Sequence, residues 1–213
     1  MIFLNFKTYK SGTGIGAVSM AKIAEEVSSE SDVKIICVVQ PMDIKSGYWS
    51  QKIDDIEYGA HTGSILAEAV IEAGAVGTFL NHSESRALDF ETLTKAHNRA
   101  KEVGLKTLIF VKDLEELEKI SSLHPDFISY EPPALIGSKD ISVATAEPEI
   151  IAKASLVSKN LGIPLIVGAG VHSREDVKKC LELGAIGVAV ASDVMNAVDP
   201  KKELLDLVEG FTA

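Results

Sequence analysis

The chain has 213 residues, room for one domain or two small ones, and its 46% hydrophobic and 24% charged content is ordinary for a globular protein. A formal net charge of -10 at pH 7 argues against nonspecific binding to nucleic acid or to an anionic membrane surface, both of which call for clustered Lys and Arg. An anionic small ligand is not excluded, because it needs only a local positive site.

Short apolar runs alternate with amphipathic stretches along the whole chain. Ile2 to Lys7 reads as a strand, without the basic start and small-residue cleavage site of a signal peptide. Gly12 to Gly16 reads as a flexible loop, and Ala17 to Ser28 as a helix with Met20, Ile23, Ala24 and Val27 on one face. Val33 to Val39 is wholly apolar, as a strand buried on both sides would be. Ser46 to Gln51 is a weak third strand, followed by a loop with Gly59 and Gly63 and a helix over Ile65 to Ala73. Tyr48 and Trp49 on that strand suit either a core or an oligomer contact.

Val76 to Asn81 is the fourth strand, and Phe90 to Val103 a helix closed by Gly104. Lys106 to Val111, Phe127 to Glu131, Ile163 to Gly168 and Ala185 to Val190 complete the strands. Between and after them come helices at Leu114 to Ser121, Ala146 to Leu161, Ser173 to Leu183 and Pro200 to Glu209, with Ser173 as an N-cap above Glu175 and Asp176. Strict alternation means a mainly parallel sheet, and eight units predict a closed (β/α)8 barrel, a single domain over residues 1–213. The short chain requires reduced outer helices, with the weakest expected after strands two and five. An open doubly wound sheet is the alternative, but no linker or composition shift divides the chain.

Cys37 and Cys180 sit in apolar runs without metal or redox spacing, as buried thiols in a reducing compartment would. No apolar run approaches the ~20 residues of a membrane span. The expected location is cytoplasmic.

In a barrel, chemistry gathers where strands end. Those positions hold Asn5 and Lys7, Gln40, Gln51, Asn81-His82-Ser83-Glu84, Glu131, Gly168-Ala169-Gly170 and Ala191-Ser192. Glu131 suits a base, because burial raises a carboxyl into a useful range. His82 can donate to a substrate oxygen, and a helix start over Ser83-Glu84-Ser85 would favour its neutral form. Lys7 can supply fixed charge beside an oxyanion. The glycine turns near Gly168 and Gly187 can offer backbone N–H groups to a phosphate. Each residue alone has a plainer reading: a solvated lysine, a capping histidine, a strand exit, a tight turn. Their convergence on one reaction favours the chemical reading.

Taken together, the motifs resemble triosephosphate isomerase in its short archaeal-type form. The similarity lies in Asn5-Phe6-Lys7-Thr8-Tyr9, Gly59-Ala60-His61-Thr62-Gly63, Asn81-His82-Ser83-Glu84-Ser85-Arg86, the stretch from Tyr130 to Ser138 and Gly168-Ala169-Gly170-Val171. The resemblance implies interconversion of D-glyceraldehyde 3-phosphate and dihydroxyacetone phosphate through an enediolate, with Glu131 as base and His82 as electrophile. It implies that Lys7 and Asn5 hold the enediolate, with Glu84 supporting from behind. Backbone N–H groups of Gly137, Gly170, Ala191 and Ser192 would bind the phosphate, and Pro132, Pro133, Ala134, Leu135, Ile136, Gly137 and Ser138 would form a closing lid that excludes water. Thr62 would enter a neighbouring subunit of a homo-oligomer, a dimer rather than a tetramer. No metal or organic cofactor is implied.

Three departures stand out against the family. Asp193 follows Ala191-Ser192 where the archaeal-type form usually has Gly, and a carboxylate near a phosphate is repulsive. Ser138-Lys139-Asp140 differs from the usual Thr-Gly of the lid, and Phe110-Val111-Lys112-Asp113 lacks the usual small, Asn-rich turn. Gly12-Thr13-Gly14-Ile15-Gly16-Ala17 fits a dinucleotide fingerprint, but it lies too far from its strand, and strand two ends in Gln40-Pro41 without an acidic partner for ribose. His172, His97 and His124 read as helix flank or surface positions.

Overall fold

Strands that are apolar on both faces cannot leave an edge in water, and this chain removes its edges by closure. In the computed structural model, which describes residues 1–87, 89–135 and 142–212, eight parallel strands form a closed barrel in sequence order. They are β1 (Ile2–Asn5), β2 (Ile35–Val39), β3 (Trp49–Ser50), β4 (Gly77–Leu80), β5 (Lys106–Val111), β6 (Phe127–Tyr130), β7 (Leu165–Val167) and β8 (Gly187–Val190). The last pairs back to the first through Ile2 with Val188 and Leu4 with Val190.

The helices are α1 (Ile15–Ser31), α2 (Ala67–Glu72), α3 (Phe90–Glu102), α4 (Leu114–Ser121), α5 (Val143–Ala146), α6 (Pro148–Asn160), α7 (Arg174–Glu182), α8 (Ser192–Met195) and α9 (Pro200–Glu209). Between β2 and β3 a single 3-10 turn, Pro41–Asp43, stands where a barrel usually has a helix. The helix after strand five is short as expected, with eight residues in α4, and α2 after strand three is shorter still with six. The helix α4 keeps eight because Asp113 caps it, accepting the Glu116 N–H at 2.8 Å. The Gly12 stretch is partly regular, with α1 already under way at Ile15. Lys10–Gly12 forms a 3-10 turn, and the Ser11 hydroxyl donates to the Met195 carbonyl at 2.5 Å.

Two apolar layers share the strands by parity. One lies between barrel and helices and takes Ile2 and Leu4 of β1 and Ile128 and Tyr130 of β6. The other fills the barrel with Phe3, Ile36, Val38, Trp49, Phe79, Leu108, Phe110, Ile166 and Ala189. Its rings meet edge to face, Phe3 on Trp49 at 5.0 Å and Phe79 on Phe110 at 4.8 Å between centroids. The barrel is therefore a packed floor, not a pore, and Trp49 belongs to it. His97 is buried, contrary to its reading as a surface residue. It falls with Leu93, Ala96 and Ala100 on the inner face of α3, a spacing of three and four residues that outweighs its polarity.

Gly77 allows β4 to pass under the Trp49 ring, since a Cβ there would fall well inside contact distance of the indole. Gly77→Ala is expected to cost about 1–3 kcal/mol through overpacking. Urea unfolding followed by Trp49 fluorescence measures it, and a variant as stable as wild type would show that the aromatic layer yields freely.

Candidate active site

Strand parity directs side chains alternately into the barrel and toward the helices, and it delivers most of the site. Asn5 follows Phe3 on the inward side of β1, and Glu131 follows Phe127 and Ser129 on that of β6. His82 breaks the pattern. Continuing β4 would turn it outward with Leu80, but Asn81 has a left-handed backbone, φ 60°. Asn tolerates that conformation better than most residues. Its amide is also held on the outer side, donating to the Phe110 carbonyl at 2.9 Å and accepting from the Ala87 N–H at 3.3 Å. The turn swings His82 into the mouth, where its ring stands edge to face with Phe110 at 4.7 Å.

Lys7 also has a left-handed backbone, φ 44°, a conformation that costs of order 1–3 kcal/mol for such a residue unless neighbours impose it. Two neighbours do. The Asn5 side-chain oxygen accepts the Lys7 N–H at 3.0 Å, and the Gln51 amide donates to the Lys7 carbonyl at 2.9 Å. The ammonium then meets Glu84 at 2.8 Å. Glu84 is thus the direct ion-pair partner of the catalytic candidate. Its side chain is 56% exposed, so the pair is weak and readily exchanged for another anion.

Asn5, Lys7, His82, Glu131, Gly170, Ala191 and Ser192 line one open cleft of about 590 Å³, together with His172 and Asp193. The floor is Phe79 and Phe110. His82 accepts the Glu84 N–H on Nδ1 at 3.2 Å, which leaves the ring proton on Nε2. Nε2 lies 3.5 Å from Glu131 Oε2, too long for a good hydrogen bond and open to a third group. Glu131 Oε2 is itself buried without a partner among the described residues. Gly168 makes room for this carboxyl, since a Cβ there would stand 3.0 Å from Oε1.

The two groups are pushed in opposite directions. Burial raises the Glu131 carboxyl to about 7, against the opposing charge of Lys7. Burial, with Lys7 adding to it, lowers His82 to about 4, so the imidazole is neutral at pH 7. The expected helix over Ser83-Glu84-Ser85 is one 3-10 turn, and the neutral ring comes from burial rather than from a helix dipole.

The N–H groups of Gly170, Ala191 and Ser192 are not used by a turn, a cap or a neighbouring loop among the described residues. Of the lid, Pro132 is buried, Pro133–Leu135 forms a 3-10 turn with Ala134 exposed, and Leu135 packs on the outer layer. Ile136, Gly137, Ser138 and the departures at Lys139 and Asp140 lie outside the described residues. Beyond the lid, the Val143 N–H donates to the Ala169 carbonyl at 3.2 Å, and the Tyr130 hydroxyl donates to Glu147 at 2.5 Å. Thr62 does not reach the cleft of its own chain. It lies in a run of exposed residues from Glu57 to Ser64.

Sequence reading missed two features here. Gln51, visible only as a polar strand end, clamps the Lys7 carbonyl. His172, read as a helix flank, stands on the cleft wall with Nδ1 2.9 Å from Asp193. No group of three or more His, Cys, Asp or Glu among the described residues is arranged to hold a metal ion.

A family model described as triosephosphate isomerase matches residues 1–210. A triosephosphate isomerase of Methanobacterium bryantii is 43% identical over 217 aligned residues, covering 98% of this chain and 95% of that one. One from Saccharolobus solfataricus is 40% identical over 216, covering 98% and 94%. Among solved structures, a triosephosphate isomerase from Bartonella henselae superposes with a TM-score of 0.74 at 21% identity, covering 100% of this chain and 98% of that one, a likeness of fold.

A carboxyl held neutral by burial makes folding depend on pH. Because its folded value is raised, Glu131 favours the folded state below the ordinary carboxylate range, and that advantage is lost as pH rises through about 7. Glu131→Gln is therefore expected to be more stable than wild type at pH 8, by at most about 3 kcal/mol, and to lose that lead near pH 4. Thermal melts at the two pH values measure this, and an equal lead at both would refute it.

Proposed function

The chain belongs to the triosephosphate isomerase family, and on that footing we propose that Glu131 is the base and His82 the electrophile in interconverting D-glyceraldehyde 3-phosphate and dihydroxyacetone phosphate through an enediolate. The observation that carries this reading is the pair of opposed shifts at 3.5 Å, a carboxyl raised to about 7 beside a histidine lowered to about 4. A base works best with a value near the working pH, and a neutral imidazole can donate to a carbonyl oxygen without giving up a charge.

The carboxylate of Glu131 removes a proton from the carbon next to the carbonyl. The electrons of that C–H bond form the C=C bond of the enediolate, and the carbonyl π electrons move onto oxygen. His82 Nε2–H donates to that oxygen, and the Lys7 ammonium leaves Glu84 to face the same negative charge. The first oxygen must then gain the hydroxyl proton of the second, and the His82 ring relays it, giving its Nε2 proton to one oxygen and taking the proton of the other. Glu131 returns its proton to the neighbouring carbon as the second oxygen becomes the new carbonyl, completing the exchange of aldehyde and ketone. Asn5 and Gln51 act on Lys7 by fixing its backbone. The N–H groups of Gly170, Ala191 and Ser192 hold the phosphate on the opposite wall, with Gly137 joining them from the lid. Pro132 to Ser138 close over the cleft and keep water from the enediolate.

The exposed run from Glu57 to Ser64, with Tyr58, Ile15 and Met42 all largely exposed, supports a dimer in which Thr62 approaches the partner's site.

Glu131→Asp withdraws the carboxylate by one methylene and is expected to lower turnover on glyceraldehyde 3-phosphate about 100-fold or more. In wild type, kcat/KM should fall as pH drops through about 7, as the base takes up its proton, and fall further through about 6 as the substrate phosphate takes up its second, with His82 adding a break at about 4. A coupled assay reads both, and wild-type turnover by the variant would remove Glu131 from the role. Light scattering should give twice the chain mass, and Thr62→Arg should lower mass and activity together. A fully active monomer would overturn the dimer.

A further inference from the structure

Asp193 places a carboxyl on the side of the cleft read as the phosphate side. It occupies the first turn of α8, next to Ser192, and lines the same wall as Gly170 and Ala191. A carboxylate in that position would repel a phosphate dianion across a partly desolvated gap. It does not stand alone. Its Oδ2 lies 2.9 Å from His172 Nδ1, and the two residues come from separate loops, one after β7 and one after β8. An ionised carboxylate can only accept, so Nδ1 must carry the proton.

The remainder of His172 is also constrained. Its backbone N–H donates to Asp176 of α7 at 3.0 Å, which fixes the residue at the turn. Its Nε2 is shut off from solvent and has no protein partner among the described residues. Glu203 of α9 also lies near the pair, and it is raised by burial first and then by the charges of Asp193 and Asp206, with His172 and Lys202 opposing. The region behind the cleft wall is thus crowded with carboxyl groups, and His172 is the basic side chain bonded to the one that lines the cleft.

We propose that His172 is a positioning residue for oxyanion binding. It holds the Asp193 carboxylate through Nδ1–H so that the charge is directed at the imidazole, and the wall accepts a phosphate that an unpaired Asp193 would repel. The pair acts as one unit, and His172 matters for binding because Asp193 is there. This inference rests on the reading of Gly170, Ala191 and Ser192 as the phosphate side.

Calorimetric titration with sulfate, a dianion at neutral pH, tests the pair in a double-mutant cycle. His172→Gln is expected to weaken sulfate binding roughly tenfold. Asp193→Asn, which removes the charge and keeps an acceptor for Nδ1–H, should tighten binding. In the Asp193→Asn background, His172→Gln should cost less than about twofold. An equal loss in both backgrounds, or no loss in either, would overturn the pairing, as would weaker binding by Asp193→Asn alone. Nitrogen-15 NMR of wild type gives a reading that needs no variant: a His172 tautomer with a bare Nδ1 is incompatible with the proposal. Wild type that binds no sulfate at all would instead refute the phosphate side on which the pair depends.

Discussion

The structure depends on one unfavourable arrangement, a carboxyl oxygen of Glu131 kept in a buried pocket without a partner among the described residues. Burying an ionisable group without a partner is costly, and the cost appears as a carboxyl value near 7. Everything around the group keeps that condition in place. Gly168 leaves the space, and Phe79 and Phe110 form an apolar floor to the cleft. Lys7, whose charge opposes the rise, is paired with Glu84 instead. Full pairing of Glu131 with Lys7 would stabilise the fold and draw the carboxyl down, out of the range where it can exchange protons at neutral pH.

The barrel makes this tension sustainable because its interior is solid. Aromatic rings fill the space between the strands, and the ring of His82 rests against the last of them, Phe110. The site is therefore a surface laid on a packed core. Each polar member is fixed by a bond that its neighbours supply: Lys7 by Asn5 and Gln51, His82 by the Glu84 N–H, Asn81 by the Phe110 carbonyl. Strain in two left-handed residues is held at the chain positions where it directs side chains into the cleft.

Much of this was legible in the sequence, and the boundary has physical causes. Strand periodicity alone located the eight strands, because buried parallel strands are continuous apolar runs and the turns between them are marked by glycine. Glu131, His82 and Lys7 were legible because they end strands, and strand ends in a barrel converge. Pairings between distant segments were not. Lys7 and Glu84 lie 77 positions apart, Asn81 and Phe110 lie 29, and His172 and Asp193 lie 21, and no local pattern records which side chains meet. The helix missing after β2 and the short one after β5 were anticipated and the still shorter one after β3 was not, because capping by Asp113 holds α4 at eight residues against a weak-looking sequence. His97 is the opposite case: its polarity suggests a surface position, while its helical spacing with Leu93, Ala96 and Ala100 buries it.

The left-handed turn at Asn81 has a consequence for how this chain can vary. It acts as a half-step in the strand's two-fold alternation, exchanging inside and outside between Leu80 and His82. The imidazole therefore owes its position to a count of residues as much as to its chemistry. Loss or gain of one residue between Leu80 and His82 would present the ring to the helices and a neighbour to the cleft. Substitutions can accumulate in this loop more readily than changes of length, so the spacing from β4 to His82 should be the more rigid part of its inheritance.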